Sequence, residues 1–294
     1  MPAPRVTGVT QPADVPLPVR VELAHAAVQR LAEDARVDLL HITGPAVHPG
    51  LRTTTSTGSD VDVLVRPDGV DRLMAALHDH GWALETTFES GSAFEHAANL
   101  YHPSWGLLDV HRLYPGMERD PSHAFETLWR TRMSVDLAHV ACPVPDPLGQ
   151  SLVLLLHAAR SPRPGSEHPD VAPNWTDRSQ EERDGIRALA DETGATVALA
   201  AATGHLHEFA GTREAALWEV FAHGGDRLDE WRARLRAARG PRAKASVALR
   251  SLGVNRYYLG QRLGHPPSHG EVVTEFFHRL GAAGRALATR VVRR

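Results

Sequence analysis

Cysteine and lysine are nearly missing from this sequence. The single cysteine, Cys142, excludes a disulfide framework and any zinc site built on cysteine ligands. Lys244 is the only lysine among 294 residues, so nearly all of the positive charge is arginine. A phosphate site in the part of the chain before Lys244 therefore depends on arginine, histidine or backbone N–H groups.

Long apolar runs and a strong net charge are also missing. No run approaches the roughly 20 residues that a membrane span requires, and the N-terminal segment lacks the apolar centre of a secretory signal. The formal net charge is −3, which disfavours a long nucleic acid as a partner. We therefore expect a cytoplasmic protein without a membrane partner.

Common phosphate-binding and hydrolase motifs are absent too. The chain contains no Walker A loop, no G-x-G-x-x-G, no H-E-x-x-H and no G-x-S-x-G. At the level of motifs, these absences exclude P-loop, dinucleotide-binding, zincin and α/β-hydrolase interpretations.

Hydrophobic periodicity divides the chain into three parts. Residues 1–18 are proline-rich and aperiodic, which predicts a flexible arm. Residues 19–145 mix short strand patterns with helices and predict an α+β domain, whereas residues 146–294 predict a helical domain. The predicted helices are 20–35, 69–81, 145–160, 179–192, 194–209, 212–223, 226–238, 243–252 and 270–292; the predicted strands are 37–43, 60–65, 82–90, 94–102 and 105–114.

Two aspartates alternate on the predicted strand 60–65. Because strand side chains alternate between faces, Asp60 and Asp62 point to the same face. Two carboxylates this close repel each other unless a cation neutralises them, and carboxylate oxygens are ligands that Mg²⁺ prefers. The motif is short, and by itself it does not distinguish a metal site from a solvated strand edge.

A third aspartate favours the metal interpretation. Asp109 lies in an apolar strand pattern, where an unpaired carboxylate is costly, and His111 shares its face. On a strand beside Asp60 and Asp62, it would complete a two-metal site that aligns an attacking oxygen with a leaving phosphate. The alternative is an exposed strand end at which Asp109 pairs with Arg112.

The loop before Asp60 adds candidates for phosphate binding. Gly44 directly follows the predicted strand 37–43, and a glycine there lets the backbone approach a polyphosphate. Arg52 is a candidate for a bidentate phosphate contact, and Ser59 is a candidate donor beside the carboxylates. An ordinary turn glycine and a surface arginine are the alternatives.

Four segments together resemble a known family. The segments are ITGPA (42–46), GLR (50–52), SDVDVLV (59–65) and LLDVH (107–111). They resemble the uncharacterised nucleotidyltransferase family, which belongs to the polymerase-β-like nucleotidyltransferase superfamily. The firm part of the match covers residues 38–113, and LLLHAAR (154–160) extends it weakly into the helical part.

The resemblance implies a fold, an activity and a site. The fold would be α+β, with a polymerase-β-like mixed sheet and flanking helices followed by an α-helical domain. The activity would be Mg²⁺-dependent transfer of a nucleotidyl group from an NTP, such as ATP, to a hydroxyl of a small-molecule or peptide acceptor. Asp60, Asp62 and Asp109 would be the catalytic residues and would bind two Mg²⁺ ions, which Mn²⁺ could replace. The nucleotide contacts would be Gly44 and Arg52, with Ser59 as an added donor.

Two departures from the family pattern fall on the triphosphate side. Thr43 stands where the family has lysine, and Pro45 stands where the wider superfamily has serine. Pro45 offers neither a hydroxyl nor an N–H to a phosphate. A degenerate module that binds nucleotide or a protein partner without turnover is therefore a second hypothesis, and a metal-dependent phosphohydrolase using the same carboxylates is a third.

Overall fold

A five-stranded mixed sheet with two helices on one face forms the first part of the chain. The computed structural model describes residues 15–52, 58–88, 96–161, 168–212 and 214–222, together with 240, 259, 268–276, 278 and 281. The elements of the first part are α1 (Leu17–Asp34), β1 (Leu39–His41), β2 (Asp60–Val65), α2 (Val70–Asp79), β3 (Ala83–Thr86), β4 (Ala97–His102) and β5 (Gly106–His111).

The strand order of this sheet is β1-β2-β5-β4-β3. The central strands β2 and β5 run parallel, whereas each of the other neighbouring pairs is antiparallel. A parallel pair requires a crossover connection, and here α2, β3 and β4 lie between the two strands in sequence. The mixed α+β architecture predicted from the sequence is confirmed.

One face of the sheet is apolar and is covered by α1 and α2. Val61, Val63, Leu108 and Val110 are at most 1% exposed and pack in one cluster with residues of both helices. These residues alternate along β2 and β5 with the predicted site residues, as the two-residue period of a strand requires.

The second part of the described chain is mainly helical. Its elements are α3 (Pro121–Arg130), the hairpin β6 (Met133–Leu137) and β7 (Val140–Val144), α4 (Pro147–Ala158), a π-helical turn (Ala172–Thr176), α5 (Gln180–Thr193), α6 (Thr196–Ala202) and α7 (Ala215–Ala222). Helix α4 is the centre of this part: Leu152 and Leu155 are fully buried and share a cluster with Leu64 of the sheet. No helix in the described ranges is both long and apolar enough to cross a bilayer.

Several predicted elements have different ends in the structure. Strand 37–43 is reduced to Leu39–His41, helix 194–209 ends at Ala202, and α1 already begins at Leu17, within the predicted arm. The hairpin β6–β7 has no counterpart among the predicted elements because β6 buries only its last residue, which leaves little apolar alternation.

Some predictions fall on residues that the structure does not describe. Two predicted helices, 226–238 and 243–252, lie entirely outside the described residues. The same holds for residues 1–14 of the arm and for most of the helix 270–292. The division into domains at residue 145 stays a prediction.

Candidate active site

A row of polar side chains crosses the face of the sheet opposite α1 and α2. Asp62 on β2 pairs with Asp109 on β5, Asp109 pairs with Asn99 on β4, and Asn99 pairs with Thr86 on β3. Directly paired residues of neighbouring strands project from the same face. We call Asp62, Asp109, Asn99 and Thr86 the polar row.

Two hydrogen bonds hold the Asp62 carboxylate. His111 Nε2 donates to Oδ1 at 2.9 Å, and the Thr43 hydroxyl donates to Oδ2 at 2.6 Å. Burial raises the pKa of Asp62, but the bonds from His111 and Thr43 outweigh it and lower that pKa to about 2. Asp62 is therefore ionised at neutral pH, and both of its oxygens are oriented.

The Asp109 carboxylate is held by the strand on its other flank, β4, on the same face of the sheet. The Asn99 side-chain amide donates to Asp109 Oδ1, and the Thr86 hydroxyl donates to the Asn99 amide oxygen. Burial, and then the charge of Asp62, raise the pKa of Asp109 to about 7. Neighbouring carboxylates whose pKa values are pushed apart are typical of acid–base sites.

Asp60 projects from the same face at the start of β2. Burial, and then Asp62, raise its pKa, whereas hydrogen bonds from the backbone N–H groups of Ser59 and Asp60 oppose the rise. Asp60 pairs in register with Leu107, two residues before the Asp62–Asp109 pair on both strands. On this face of the sheet, Asp62, Asp109 and His111 each offer a ligand atom within 4.8 Å of those of the other two, a set to which Asp60 does not belong.

The loop that carries the predicted nucleotide contacts lies against Asp60. Gly44 has the left-handed φ of 62°, a conformation that glycine adopts without strain. A Cβ placed on Gly58 would lie 3.7 Å from Gly44 Cα and 3.8 Å from Asp60 Oδ1, so Gly58 is close to both Gly44 and this carboxylate. The Ser59 side chain is exposed, and its backbone N–H is directed at Asp60.

Arg52 has a protein partner in the structure. Its Nε lies 3.5 Å from Asp170 Oδ1, and its side chain is 18% exposed. The charge of Arg52 also contributes to lowering the pKa of His157, which in turn interacts electrostatically with Asp62. Arg52 therefore borders the region in front of the polar row, and its contact with a phosphate stays a prediction.

Several side chains that support the carboxylates have no recognisable role in the sequence alone. Thr43 is a departure from the family pattern, yet it holds Asp62. Asn99 breaks the apolar pattern of the predicted strand 94–102, a signal that could have marked it as a site residue. Thr86 carried no such signal because polar and apolar residues do not alternate in a clear way around it.

The donor set fits a hard divalent cation. Asp60, Asp62 and Asp109 supply carboxylate oxygens, which Mg²⁺ and Mn²⁺ prefer. The carboxylates are partly removed from water and close enough to affect one another's pKa, so a bound cation would relieve a repulsion that the protein alone leaves in place.

The fold is similar to two solved structures whose names place them among nucleotidyltransferases. One is the lincomycin-bound lincosamide antibiotic adenylyltransferase LnuA: the likeness has 15% sequence identity and a TM-score of 0.34 and covers 58% of this chain and 98% of that one. The other is an antigenic nucleotidyltransferase-like protein from Paracoccidioides brasiliensis, with 16% identity, a TM-score of 0.36 and coverage of 64% and 93%. No family model matches the chain, and no curated protein matches its sequence. At these values the likeness is loose, and the chemistry of the site rests on its side chains alone.

Proposed function

We propose that this protein is a Mg²⁺-dependent nucleotidyltransferase that moves an NMP group from an NTP to a hydroxyl of a small-molecule or peptide acceptor. The observation that carries the proposal is the pairing of Asp62 with Asp109 on adjacent parallel strands. Asp60 projects from the same face, so three carboxylates from two distant segments share one side of the sheet.

The three aspartates are the proposed ligands of two Mg²⁺ ions. When bound, the ions would stabilise charge on the attacking and leaving oxygens. His111 and Thr43 fix the orientation of Asp62, and Asn99 fixes that of Asp109. A ligand that is held before the ion arrives loses little conformational freedom on binding.

In the proposed reaction, the acceptor oxygen forms a bond to the α-phosphorus of the NTP, and the bond from that phosphorus to pyrophosphate breaks. Asp109 is the proposed acceptor of the hydroxyl proton, because Asn99 fixes its carboxylate beside Asp62, where the acceptor hydroxyl would bind. Pyrophosphate leaves with the electron pair of the broken bond, so charge and atoms balance.

The proposed nucleotide side is the loop around Asp60. The backbone of Gly58, which is partly exposed, and the neighbouring buried Gly44 would lie beside the triphosphate, and Arg52 would contact a phosphate oxygen after exchanging its loose contact with Asp170. Ser59 is a further proposed donor, and ATP is the proposed first donor nucleotide to test.

A pyrophosphate-release assay tests the proposal. The protein is incubated with ATP or GTP, Mg²⁺ and a panel of sugars, hydroxylated metabolites and peptides. We expect pyrophosphate in the presence of a suitable acceptor, and loss of the signal in Asp62→Asn. Asp71→Asn, which changes an exposed aspartate of α2, is the matched control and keeps the activity.

The absence of an N–H at Pro45 favours one alternative, a degenerate module that binds nucleotide or a protein partner without turnover. The same experiment separates the hypotheses. Calorimetric binding of ATP with Mg²⁺, but no pyrophosphate across the panel, supports the module. Release of inorganic phosphate instead of pyrophosphate supports a phosphohydrolase.

A further inference from the structure

A second group of metal-ligating side chains lies where the end of α4 approaches the π-helical turn. His157 is in the last turn of α4, and His168 and Asp170 come shortly before Ala172–Thr176. One ligand atom of each lies within 4.8 Å of those of the other two. We call these three residues the histidine cluster; none of them belongs to the polar row.

The backbone of the histidine cluster is fixed by a buried amide. Asn174 is fully buried, and its Nδ2 donates to the carbonyl oxygens of Asp170, at 2.7 Å, and Leu51, at 2.8 Å. These bonds join the segment that carries His168 and Asp170 to the loop that carries Arg52. The position of Asp170 therefore does not depend on a bound ligand.

The Asp170 carboxylate is buried but only loosely contacted. Its Oδ1 lies 3.5 Å from Arg52 Nε, and its Oδ2 lies 3.9 Å from His168 Nδ1. Both separations exceed the length of a good hydrogen bond, and Arg52 Nε is buried without a hydrogen-bond partner in the described part of the chain. A mostly buried carboxylate with contacts this long leaves room for an additional cation, and Oδ2 is the oxygen nearer to His168.

Both imidazoles are suited to bind a metal at neutral pH. Burial is the largest cause that lowers the pKa of His157 to about 4, and burial also lowers that of His168. Neutral imidazoles offer a lone pair without first losing a proton. Part of the His157 residue is in contact with solvent although protein surrounds most of its ring, which leaves a path by which an ion reaches the cluster.

We propose that His157, His168 and Asp170 form a site for a borderline divalent metal of the Zn²⁺ class, separate from the carboxylates of the polar row. Two imidazoles and one carboxylate are a common Zn²⁺ ligand set that leaves one coordination position open. Imidazole ligands favour Zn²⁺, Co²⁺ and Ni²⁺, whereas the oxygen ligands of the polar row favour Mg²⁺ and Mn²⁺. The two sites therefore differ in the metal they select.

Binding of Zn²⁺ requires only a small movement of the side chains of the histidine cluster. Tetrahedral Zn²⁺ ligands lie about 3.3 Å from one another, so the ligand atoms of the cluster must close by about 1.5 Å or less from their limit of 4.8 Å. Side-chain rotation of His157 and His168 supplies such a movement. A metal on His168 Nδ1 would also displace a 3.2 Å contact from the Asp170 N–H, which is already at the long end for a hydrogen bond.

The residues around the histidine cluster indicate which class of ligand would fill the open coordination position of the metal. Arg52 lies beside the cluster, and His157 is close enough to Asp62 for the two to interact electrostatically. A metal ion here would add positive charge beside Arg52. The open position would therefore take an anionic oxygen, such as that of a phosphate or carboxylate group.

A titration of the metal-free full-length protein with Co²⁺ tests the site, because Co²⁺ bound by imidazoles in a four-coordinate site gives visible absorption bands. We expect one equivalent to produce these bands in the presence of excess Mg²⁺. His157→Asn and His168→Asn should each weaken the binding by at least about 10-fold, the lower end of what losing a supporting residue costs. The matched control is the double variant His205→Asn/His207→Asn, which changes a pair of exposed histidines and should leave the titration unchanged.

Asp62→Asn separates this proposal from the proposed function. Loss of the nucleotidyl transfer in that variant, together with unchanged Co²⁺ bands, supports both. The metal-site proposal is overturned when the wild type gives no bands, when both histidine variants titrate like the wild type, or when the bands disappear in Asp62→Asn. Circular dichroism establishes that each variant is folded, and the two histidine variants provide independent tests.

Discussion

The two faces of the central sheet are built from the same strands but have opposite properties. On the α1–α2 face, Val63 and Leu108 are fully buried among apolar side chains. On the other face, Asp62 and Asp109 lie side by side, and burying two neighbouring carboxylates is costly because their negative charges repel each other. The apolar face therefore stabilises the sheet, whereas the polar face carries a charge arrangement that is unfavourable until a cation binds.

The largest expected effect is the loss of activity on the polar face. Asp62→Asn removes a proposed ligand and the partner of both His111 and Thr43. Because losing a residue that only supports a ligand costs about 10–100-fold, we expect at least about a 100-fold decrease in kcat/KM. Pyrophosphate release measures the decrease, and full activity in this variant would show that the ligands are misassigned.

A substitution on the apolar face should instead affect stability. Leu108→Ala removes a fully buried side chain and should lower the free energy of unfolding by about 2–5 kcal/mol. Its neighbour Leu107 is only partly buried and lies on the polar face, so Leu107→Ala is the matched control with a smaller loss. Denaturant unfolding measures both; equal losses would contradict the assignment of the two faces.

Removing the hydrogen bond that Asn99 donates to Asp109 should have an intermediate effect. Asn99→Ala removes the amide that donates to Asp109 and should weaken Mn²⁺ binding by about 10–100-fold. Tyr101→Ala, two residues further along the same face of β4 and 43% exposed, should leave the affinity unchanged. Calorimetric titration compares the two variants, and equal affinities would remove Asn99 from the site.

The smallest expected effect is on the pH dependence of stability. The pKa of Asp109 is raised from 3.8 to about 7, so the folded metal-free protein holds a proton that the unfolded chain has already released. Between these two pKa values the stability therefore falls as the pH rises. Asp109→Asn should remove this slope and raise Tm at pH 7 by at least about 2–4 °C, the shift that about 1 kcal/mol produces in a chain of this size.

The control for this measurement is Asp71→Asn, since Asp71 is exposed on α2. Its Tm should follow that of the wild type across the same pH range. A lower Tm for Asp109→Asn at pH 7 would show that the carboxylate is ionised and stabilising in the metal-free protein.

The sequence predicted what depends on strand alternation and left out what depends on strand pairing. The bounds of β2 match the predicted strand 60–65 because its alternation is strict. From the residues, a position of Asp109 beside Asp62 was one of two alternatives, and the resemblance favoured it, since periodicity does not state which strands are neighbours. Thr43, which holds Asp62, follows the short β1 and could be assigned its role only once β1 was placed beside β2.

The histidine cluster could be predicted from the sequence even less than the polar row. His157 belongs to a predicted helix, whereas His168 and Asp170 belong to a predicted loop, and their spacing in sequence matches no metal-binding motif. Only the packing of the segment through Asn174 brings them together. Ligand sets of this kind are determined by tertiary structure and are not visible in hydrophobic patterns.

Crystals grown with Mn²⁺ and a non-hydrolysable ATP analogue provide the most direct test of the proposed site. We predict an anomalous Mn²⁺ peak about 2 Å from carboxylate oxygens of Asp62 and Asp109, with phosphate oxygens of the analogue bound to the same ion. A map without Mn²⁺ at these carboxylates, or with the nucleotide bound away from them, would contradict the account.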